Sequence, residues 1–205
     1  MKVSVPENIA DIKLSQFQEL MKFANEVDIN LEGERIIEVE KIRIMTGLTY
    51  KQVEGLSQKD FKDLVSKIDK ALNTPCEFQQ RFKMNGVEFG FHPNIDACSS
   101  EEYMDLMNYN SEPETLNRLM AILFRPITKT DSFGNYQIEP YEGTEKYSEL
   151  FKEIPLNIVN GAIVFFLNLS IELQASIKQS LATKVQARAK KRPSFGFVGG
   201  GMARS

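Results

Sequence analysis

The fold of this chain is decided by the stretch Phe78-Gln79-Gln80-Arg81-Phe82-Lys83-Met84-Asn85-Gly86-Val87-Glu88-Phe89-Gly90-Phe91. At its centre, Asn85-Gly86 favours a type I′ turn, because both central residues of that turn require a positive φ angle. Apolar and aromatic residues on either side predict two antiparallel strands, Phe78 to Met84 and Val87 to Phe91. Phe89 and Phe91 are two positions apart, so we expect them on the same face of this hairpin.

The residues before this hairpin predict helices. Polar residues that can cap a helix N-terminus precede several stretches with apolar residues at helical spacing. Gly47 follows the second of these helices, at a position where a left-handed C-cap needs no side chain. In chain order the features are a capping box at Ser15–Gln18, a helix over Arg35–Met45, and start signals at Thr49–Gln52 and Ser57–Asp60. Before them, Lys2 to Val5 alternates polar and apolar residues, which predicts a short edge strand.

The residues after the hairpin predict further helices and a second hairpin. The helix that starts at Ser99-Ser100-Glu101-Glu102 carries the apolar residues Tyr103, Leu106 and Met107. Pro155 suits the first turn of a last, long helix. The remaining predicted elements are a helix over Leu116–Leu123, strands over Ile127–Thr130 and Tyr136–Ile138, and the last helix over Leu156–Ala187.

Together these elements predict an α+β fold that is mostly helical, with two small antiparallel β-hairpins and a long C-terminal helix followed by a flexible basic tail. The hydrophobic fraction of 42% supplies enough apolar material for a core. We expect one helix-rich domain over residues 1–187, with a subdivision near residue 75 compatible with the pattern. Residues 188–205 are expected to form a basic, Gly-rich tail.

Composition argues against a membrane or a secreted protein. The N-terminus has no apolar signal-peptide core. The most apolar stretch, Ile154 to Leu173, is interrupted by three asparagines and Glu172, whereas a spanning helix needs about 20 mostly apolar residues. A buried core helix is the better interpretation. Cys76 and Cys98 have no CxxC spacing, so we expect a reducing compartment and no disulfide framework.

Catalytic motifs are missing from the sequence. His92 is the only histidine, and neither Cys76 nor Cys98 has a nearby partner at metal-ligand spacing, so a structural role is expected. There is no Gly-rich phosphate-binding loop and no nucleophile elbow. Glu34 and Glu38 fit a solvated helix face, while Glu101 and Glu102 fit a helix start, where negative charge is favoured. We therefore expect no enzymatic activity, no cofactor and no bound metal.

Charge is divided unevenly along the chain. After Glu172 there is no acidic residue and there are seven basic ones, so residues 1–172 carry a net charge of −10 within a total of −3. The basic segment has three open interpretations: a solvated helix end, a contact with an acidic protein surface, or a contact with nucleic-acid phosphates. The predicted partner-binding residues are Lys184, Arg188, Lys190, Lys191, Arg192, Phe195 and Phe197.

Two stretches resemble bacteriophage proteins. Ile44 to Phe61 contains Thr46-Gly47-Leu48, Val53, Leu56 and Asp60, and it resembles a segment of the tail assembly chaperones of long-tailed phages. The second stretch is similar to a group of phage proteins encoded among virion-assembly genes. Its pattern is Phe89-Gly90-Phe91-His92-Pro93-Asn94-Ile95-Asp96, then Glu102-Tyr103-Met104-Asp105-Leu106, then Met120 to Pro126. His92 departs from this pattern, which usually has an aliphatic residue there.

The resemblance implies a non-enzymatic phage morphogenesis protein, either a tail assembly chaperone or a structural component. Such chaperones coat the tape-measure protein and recruit tail-tube subunits. It also implies a location in the host cytoplasm during infection or in the virion. Homo-oligomers are compatible with this interpretation. The alternative is a nucleic-acid-binding or regulatory phage protein that acts through its basic C-terminal arm.

Overall fold

A computed structural model describes residues 3–28, 30–95, 98–109 and 112–168. The chain forms two compact units, Met1–Val164 and Phe165–Ser205. The sheet and the first seven α-helices belong to the first unit. An eighth helix begins at residue 156 and is described to residue 168. The expected continuation of this helix to Ala187, and the expected tail over residues 188–205, lie outside the described residues.

The described elements confirm an α+β fold that is rich in helix. Before the sheet lie α1 (Leu14–Glu26), α2 (Leu31–Thr46), α3 (Tyr50–Glu54) and α4 (Gln58–Leu72). Strands β1 (Arg81–Met84) and β2 (Val87–Phe91) are followed by α5 (Ser100–Tyr109) and α6 (Leu116–Leu123). Strands β3 (Phe124–Thr130) and β4 (Tyr136–Ile138) precede α7 (Glu145–Phe151) and the helix from residue 156, α8.

The Asn85-Gly86 hairpin is confirmed. Asn85 and Gly86 have φ angles of 49° and 80°, as a type I′ turn requires. Met84 pairs with Val87 and Phe82 with Phe89, so β1 and β2 are antiparallel around this turn. β1 begins at Arg81, three residues later than predicted.

The two predicted hairpins are not separate, because β2 also pairs antiparallel with β3. The result is one four-stranded sheet with the order β1-β2-β3-β4. β3 begins at Phe124, directly after α6 and three residues earlier than predicted, and Phe91 pairs with Phe124. This joining pairs Gly90 with Arg125, which places Arg125 on a central strand.

An aromatic cluster forms the core on one face of the sheet. Phe89, Phe124 and Phe151 are fully buried, and Phe82 and Phe91 are nearly so. The rings of Phe82 and Phe89 stack with their centroids 5.5 Å apart, while Phe151 meets Phe89 edge-on at 5.1 Å. Aromatic pairs in these arrangements contribute beyond the area that they bury. The hairpin thus supplies the centre of the core, and α7 covers it through Phe151.

On the opposite face of the sheet, the ring of Tyr136 packs against the backbone of Gly90. A Cβ atom on Gly90 would lie 2.4 Å from Cε2 of Tyr136 and 2.9 Å from Cγ1 of Ile127, so only glycine fits there. The Tyr136 hydroxyl donates to the carbonyl oxygen of Phe91 at 2.6 Å. The third and fourth strands are thereby fixed against the first hairpin.

Residues near the start of the chain are tied to residues just before α8. Lys13 and Pro155 form an isolated antiparallel bridge. The N–H of Leu14 donates to the carbonyl oxygen of Ile154 at 2.9 Å, and the N–H of Leu156 donates to that of Ile12 at 2.8 Å. Ile12, Leu14, Ile154 and Leu156 are all buried. The link therefore connects the helical first part of the chain to the core under the sheet.

Two local predictions were wrong, and one helix was missed. Residues 3–5 do not form a strand. Helix α1 begins at Leu14, not after Ser15, because the bridge holds Lys13 extended and Gln16 Oε1 then accepts from the Lys13 N–H at 3.0 Å. Helix α7 was not predicted, and Thr144 before it makes no side-chain capping hydrogen bond. The caps at Thr49, Ser57 and Gly47 are confirmed.

Candidate functional site

The predicted partner-binding residues of the C-terminal segment lie outside the described residues. These are Lys184, Arg188, Lys190, Lys191, Arg192, Phe195 and Phe197. Within the described residues, the structure brings together a different set of groups around α5. The set consists of a buried charged cluster on the inner side of α5 and an exposed apolar face on its outer side.

The buried cluster is centred on an ion pair between α5 and β3. Nη2 of Arg125 lies 2.7 Å from Oε1 of Glu102, and the two side chains are only 6% and 7% exposed. Among the described residues, neither Oε1 of Glu102 nor Nε of Arg125 has a hydrogen-bond partner, so the two side chains form a close charge contact and not a hydrogen bond. Because removing charges from water is costly, loss of either partner would leave the other charge buried and uncompensated.

Glu102 also caps its own helix. Its Oε2 accepts from the backbone N–H of Ser99 at 2.7 Å, while the Ser99 hydroxyl accepts from the Glu102 N–H at 3.1 Å. Burial alone would raise the pKa of Glu102. The Ser99 N–H and the charge of Arg125 outweigh burial and hold this pKa below its usual range. Glu102 is therefore not simply a solvated charge at a helix start, as the sequence suggested.

His92 belongs to the same cluster. Its Nε2 lies 3.5 Å from Oε1 of Glu102, and its Nδ1 accepts from the backbone N–H of Asn94 at 3.2 Å. Burial and the positive charge of Arg125 lower the pKa of His92, and Glu102 offsets only part of this effect. The imidazole is thus neutral at neutral pH. The structural role expected for His92 has a specific form: it covers one side of the buried ion pair.

Tyr141 and Asp105 complete the surroundings of Arg125. The guanidinium carbon of Arg125 lies 5.5 Å from the centre of the Tyr141 ring, within range of a cation–π interaction. The Tyr141 hydroxyl donates to Oδ2 of Asp105 on the next turn of α5. Burial and the Asp105 carboxylate raise the pKa of Tyr141, so this hydroxyl keeps its proton. Two carboxylates of α5 therefore have partners outside the helix: Glu102 contacts Arg125, and Asp105 accepts from Tyr141.

The outer face of α5 is apolar and exposed. Tyr103, Met104 and Met107 are 56%, 65% and 46% exposed, whereas Glu102 and Leu106 on the inner face are buried. Residues three and four positions apart are neighbours on a helix surface, so these three side chains form one stripe. The sequence analysis named Tyr103, Leu106 and Met107 together as the apolar residues of this helix. The structure instead divides them between two sides of the helix.

A second charged cluster joins the first three helices. Arg43 donates to Glu40 from Nε at 3.0 Å and to Glu19 from Nη2 at 2.6 Å, and the Tyr50 hydroxyl donates to Glu40. Glu40 is buried, although it belongs to a run of glutamates that fits a solvated helix face. These hydrogen bonds connect α1, α2 and α3, which is a structural role.

Neither a metal centre nor a membrane span is found in the described part of the chain. No group of three or more His, Cys, Asp or Glu side chains there could hold a metal ion. None of the described helices is both long enough and apolar enough to cross a bilayer. Comparisons with known proteins add no relative: no family model, curated protein or solved structure matches this chain.

The buried cluster predicts a specific pH dependence. The folded state lowers the pKa of His92 below its ordinary value of about 6.5, so the unfolded chain binds a proton more readily. The free energy of unfolding should therefore decrease as pH falls below about 6.5, by at most about 1.4 kcal/mol per pH unit for one group. Urea unfolding at a series of pH values from about 7.5 to about 5.5 would measure this slope.

The matched variant is His92→Gln, which keeps a side-chain donor but cannot titrate. Its free energy of unfolding should depend much less on pH in the same range, because His92 is the only histidine of the chain. Glu102 titrates lower still, since its pKa is also lowered. An equal slope in the variant and the wild-type protein would contradict a neutral, buried His92.

Proposed function

We propose that this chain is a non-enzymatic bacteriophage morphogenesis protein, a tail assembly chaperone or structural component, that binds other virion proteins through the outer face of α5. The observation that carries the proposal is the exposed stripe Tyr103, Met104 and Met107 on a helix anchored from behind by Glu102 and Arg125. The phage context comes from the resemblance of the two sequence stretches described above.

The composition of the stripe suits a protein contact. Methionine side chains are flexible and polarizable, so they adapt to partner surfaces of different shape. Tyrosine is enriched at interfaces because it offers a large apolar ring together with a polar hydroxyl. A docking helix that must not deform needs a fixed inner side, which the Glu102 ion pair and the Asp105–Tyr141 hydrogen bond provide.

The sequence pattern that resembles the phage proteins includes charged residues of the buried cluster. The charged residues Glu102, Asp105 and Arg125 are all part of the pattern that this chain shares with the phage group, and all three belong to the cluster that anchors α5. The pattern thus corresponds to the anchoring of one helix and not to a catalytic constellation. This correspondence supports a binding role.

The test is binding to tail proteins encoded by the same phage, produced together with this chain. Met104→Glu places a charge in the stripe and should weaken binding to the tape-measure or tail-tube partner by about 10- to 100-fold, as for a central interface residue. Gln58→Glu is the matched control, because it adds the same charge to an exposed position of a different helix, α4. Calorimetry on the purified complex would give both affinities.

Two results would reject the proposal. One is a Met104→Glu protein that binds as tightly as the Gln58→Glu control. The other is a wild-type protein that does not bind tail proteins but binds DNA or RNA, with an affinity that falls steeply as salt is raised to the physiological range. The second result would favour the alternative function, nucleic-acid binding through the basic C-terminal arm.

A further inference from the structure

The sequence around α5 is strongly acidic. Between Lys83 and Arg118 there are seven acidic residues and no lysine or arginine. Helix α5 lies within this stretch, and it carries three of the seven. The acidic residues of the stretch are Glu88, Asp96, Glu101, Glu102, Asp105, Glu112 and Glu114. The exposed stripe is therefore the apolar face of a helix that is otherwise acidic.

Two of these carboxylates lie beside the stripe, and among the described residues no cation pairs with them. Glu101 is three residues before Met104 and four before Asp105, so these side chains are neighbours on the helix surface. Glu101 is exposed and Asp105 is half-buried. Arg125 is already paired with Glu102 at 2.7 Å. Like charges four residues apart on a helix repel, so a cation bound next to both would stabilise this face.

A third carboxylate extends the acidic surface beyond α5. Burial and Asp105 raise the pKa of Tyr141. The charges of Glu101 and Glu145 act in the same direction, so all three carboxylates lie near this hydroxyl. Glu145 is the first residue of α7, and its side chain is 78% exposed. Arg118 lies 3.4 Å from Glu145 and offsets part of its charge. The acidic surface beside the stripe therefore includes residues of two helices.

A segment that is complementary to this face is present in the sequence of the same chain. Residues 184–197 contain five lysines and arginines, no acidic residue, and the two phenylalanines Phe195 and Phe197. Cations suit the acidic surface, because complementary charges across a contact favour the right partner and the right orientation. Phenylalanine rings make favourable contacts with the sulfur of methionine, which the stripe supplies twice. Face and segment thus match both in charge and in apolar groups.

We propose that residues 184–197 of one copy of this chain bind the outer face of α5 on a second copy. The two phenylalanines contact the stripe, while the lysines and arginines approach Glu101 and Asp105. Each copy carries one such face and one such segment, so the contact is heterologous and builds a ring or an open chain of copies. A second copy and the virion proteins of the proposed function then compete for the same face, but copies can associate without any tail protein.

Self-association is measured with the purified full chain alone, by sedimentation velocity over an approximately 100-fold range of concentration. We expect reversible association that weakens as salt is raised, because opposite charges meet at the contact. Met104→Glu should weaken it by about 10- to 30-fold, whereas the control Gln58→Glu on α4 should leave it unchanged. The triple variant Lys190→Glu, Lys191→Glu and Arg192→Glu should weaken it by about 30- to 100-fold, since repulsion replaces attraction at three positions.

Mixing the two defective variants tests which surfaces meet. The Met104→Glu chain keeps its segment 184–197, and the triple variant keeps its α5 face. An equimolar mixture should therefore associate with nearly the wild-type affinity into pairs that contain one chain of each kind, although each variant associates poorly alone.

Three results would overturn the proposal: a wild-type protein that stays monomeric, a Met104→Glu protein that associates as tightly as Gln58→Glu, or a mixture that associates no better than its two components. Tail-protein binding is measured separately on the purified complex, so these results leave the proposed function standing. Intact self-association in a chain that does not bind tail proteins would instead reject the proposed function and support the copy-to-copy contact.

Discussion

Phe89→Ala is expected to destabilise the protein by about 3–5 kcal/mol, a large part of the stability of a domain of this size. Phe89 is fully buried and contacts the rings of Phe82, Phe151 and Tyr147, so alanine would leave a cavity that two strands and α7 surround. The surrounding backbone is fixed by strand pairing on both sides of Phe89, which limits collapse into the cavity. Urea unfolding followed by circular dichroism would measure the loss.

Phe133→Ala is the matched control for this experiment. It deletes the same atoms from a side chain that is almost fully exposed, so its effect on a dilute sample should stay within about 0.5 kcal/mol. Nearly equal effects of the two substitutions would mean that Phe89 does not occupy the centre of the core.

The second large effect concerns the ion pair under α5. Arg125→Met removes the positive charge and leaves Glu102 buried without its partner, which should cost about 3–5 kcal/mol. Because an uncompensated carboxylate takes up a proton, the loss should be smaller at acidic pH, where Glu102 can become neutral. Thermal and urea unfolding at neutral and acidic pH would test both statements.

The double variant Glu102→Met with Arg125→Met distinguishes a charge effect from a packing effect. If the cost of Arg125→Met comes from the unpaired carboxylate, the double variant should be more stable than the single one, since buried ion pairs can be replaced by apolar side chains at little cost. A double variant that is less stable than Arg125→Met would show that packing around these two side chains, together with the helix cap that Glu102 provides, dominates.

The parts of the fold that depend on neighbouring residues could be predicted from the sequence. The turn at Asn85-Gly86, the caps at Thr49 and Ser57, and the end of α2 at Gly47 each depend on a few adjacent residues, and all are present. Each depends on the chemistry of one or two residues, either a side-chain oxygen just before a helix or a residue that tolerates a positive φ angle.

The parts that depend on distant residues could not be predicted. Pairing of β2 with β3 joins the two hairpins across two intervening helices, and no local pattern specifies it. The candidate site has the same difficulty. In the sequence, Glu102 has the position and charge of a residue that favours a helix start. Its burial against Arg125 depends on the position of Arg125 on a central strand, which the sequence around Glu102 does not show. Tyr103 and Met107 likewise have core-like spacing with Leu106 but lie on the exposed side.

The bridge between Lys13 and Pro155 also constrains the order in which the protein can fold during its synthesis. Lys13 and Glu153, which form an ion pair beside this bridge, are separated by 140 residues. At a rate of about 5–20 residues per second, a ribosome needs about 7–28 s to supply the partners of the first helix. Throughout that interval Ile12 and Leu14 lack their backbone partners Leu156 and Ile154, so this part of the native packing is incomplete. Proteins that shield nascent chains are therefore expected to act on the first helix and not on the later hairpins, whose strands are paired within a few residues of each other.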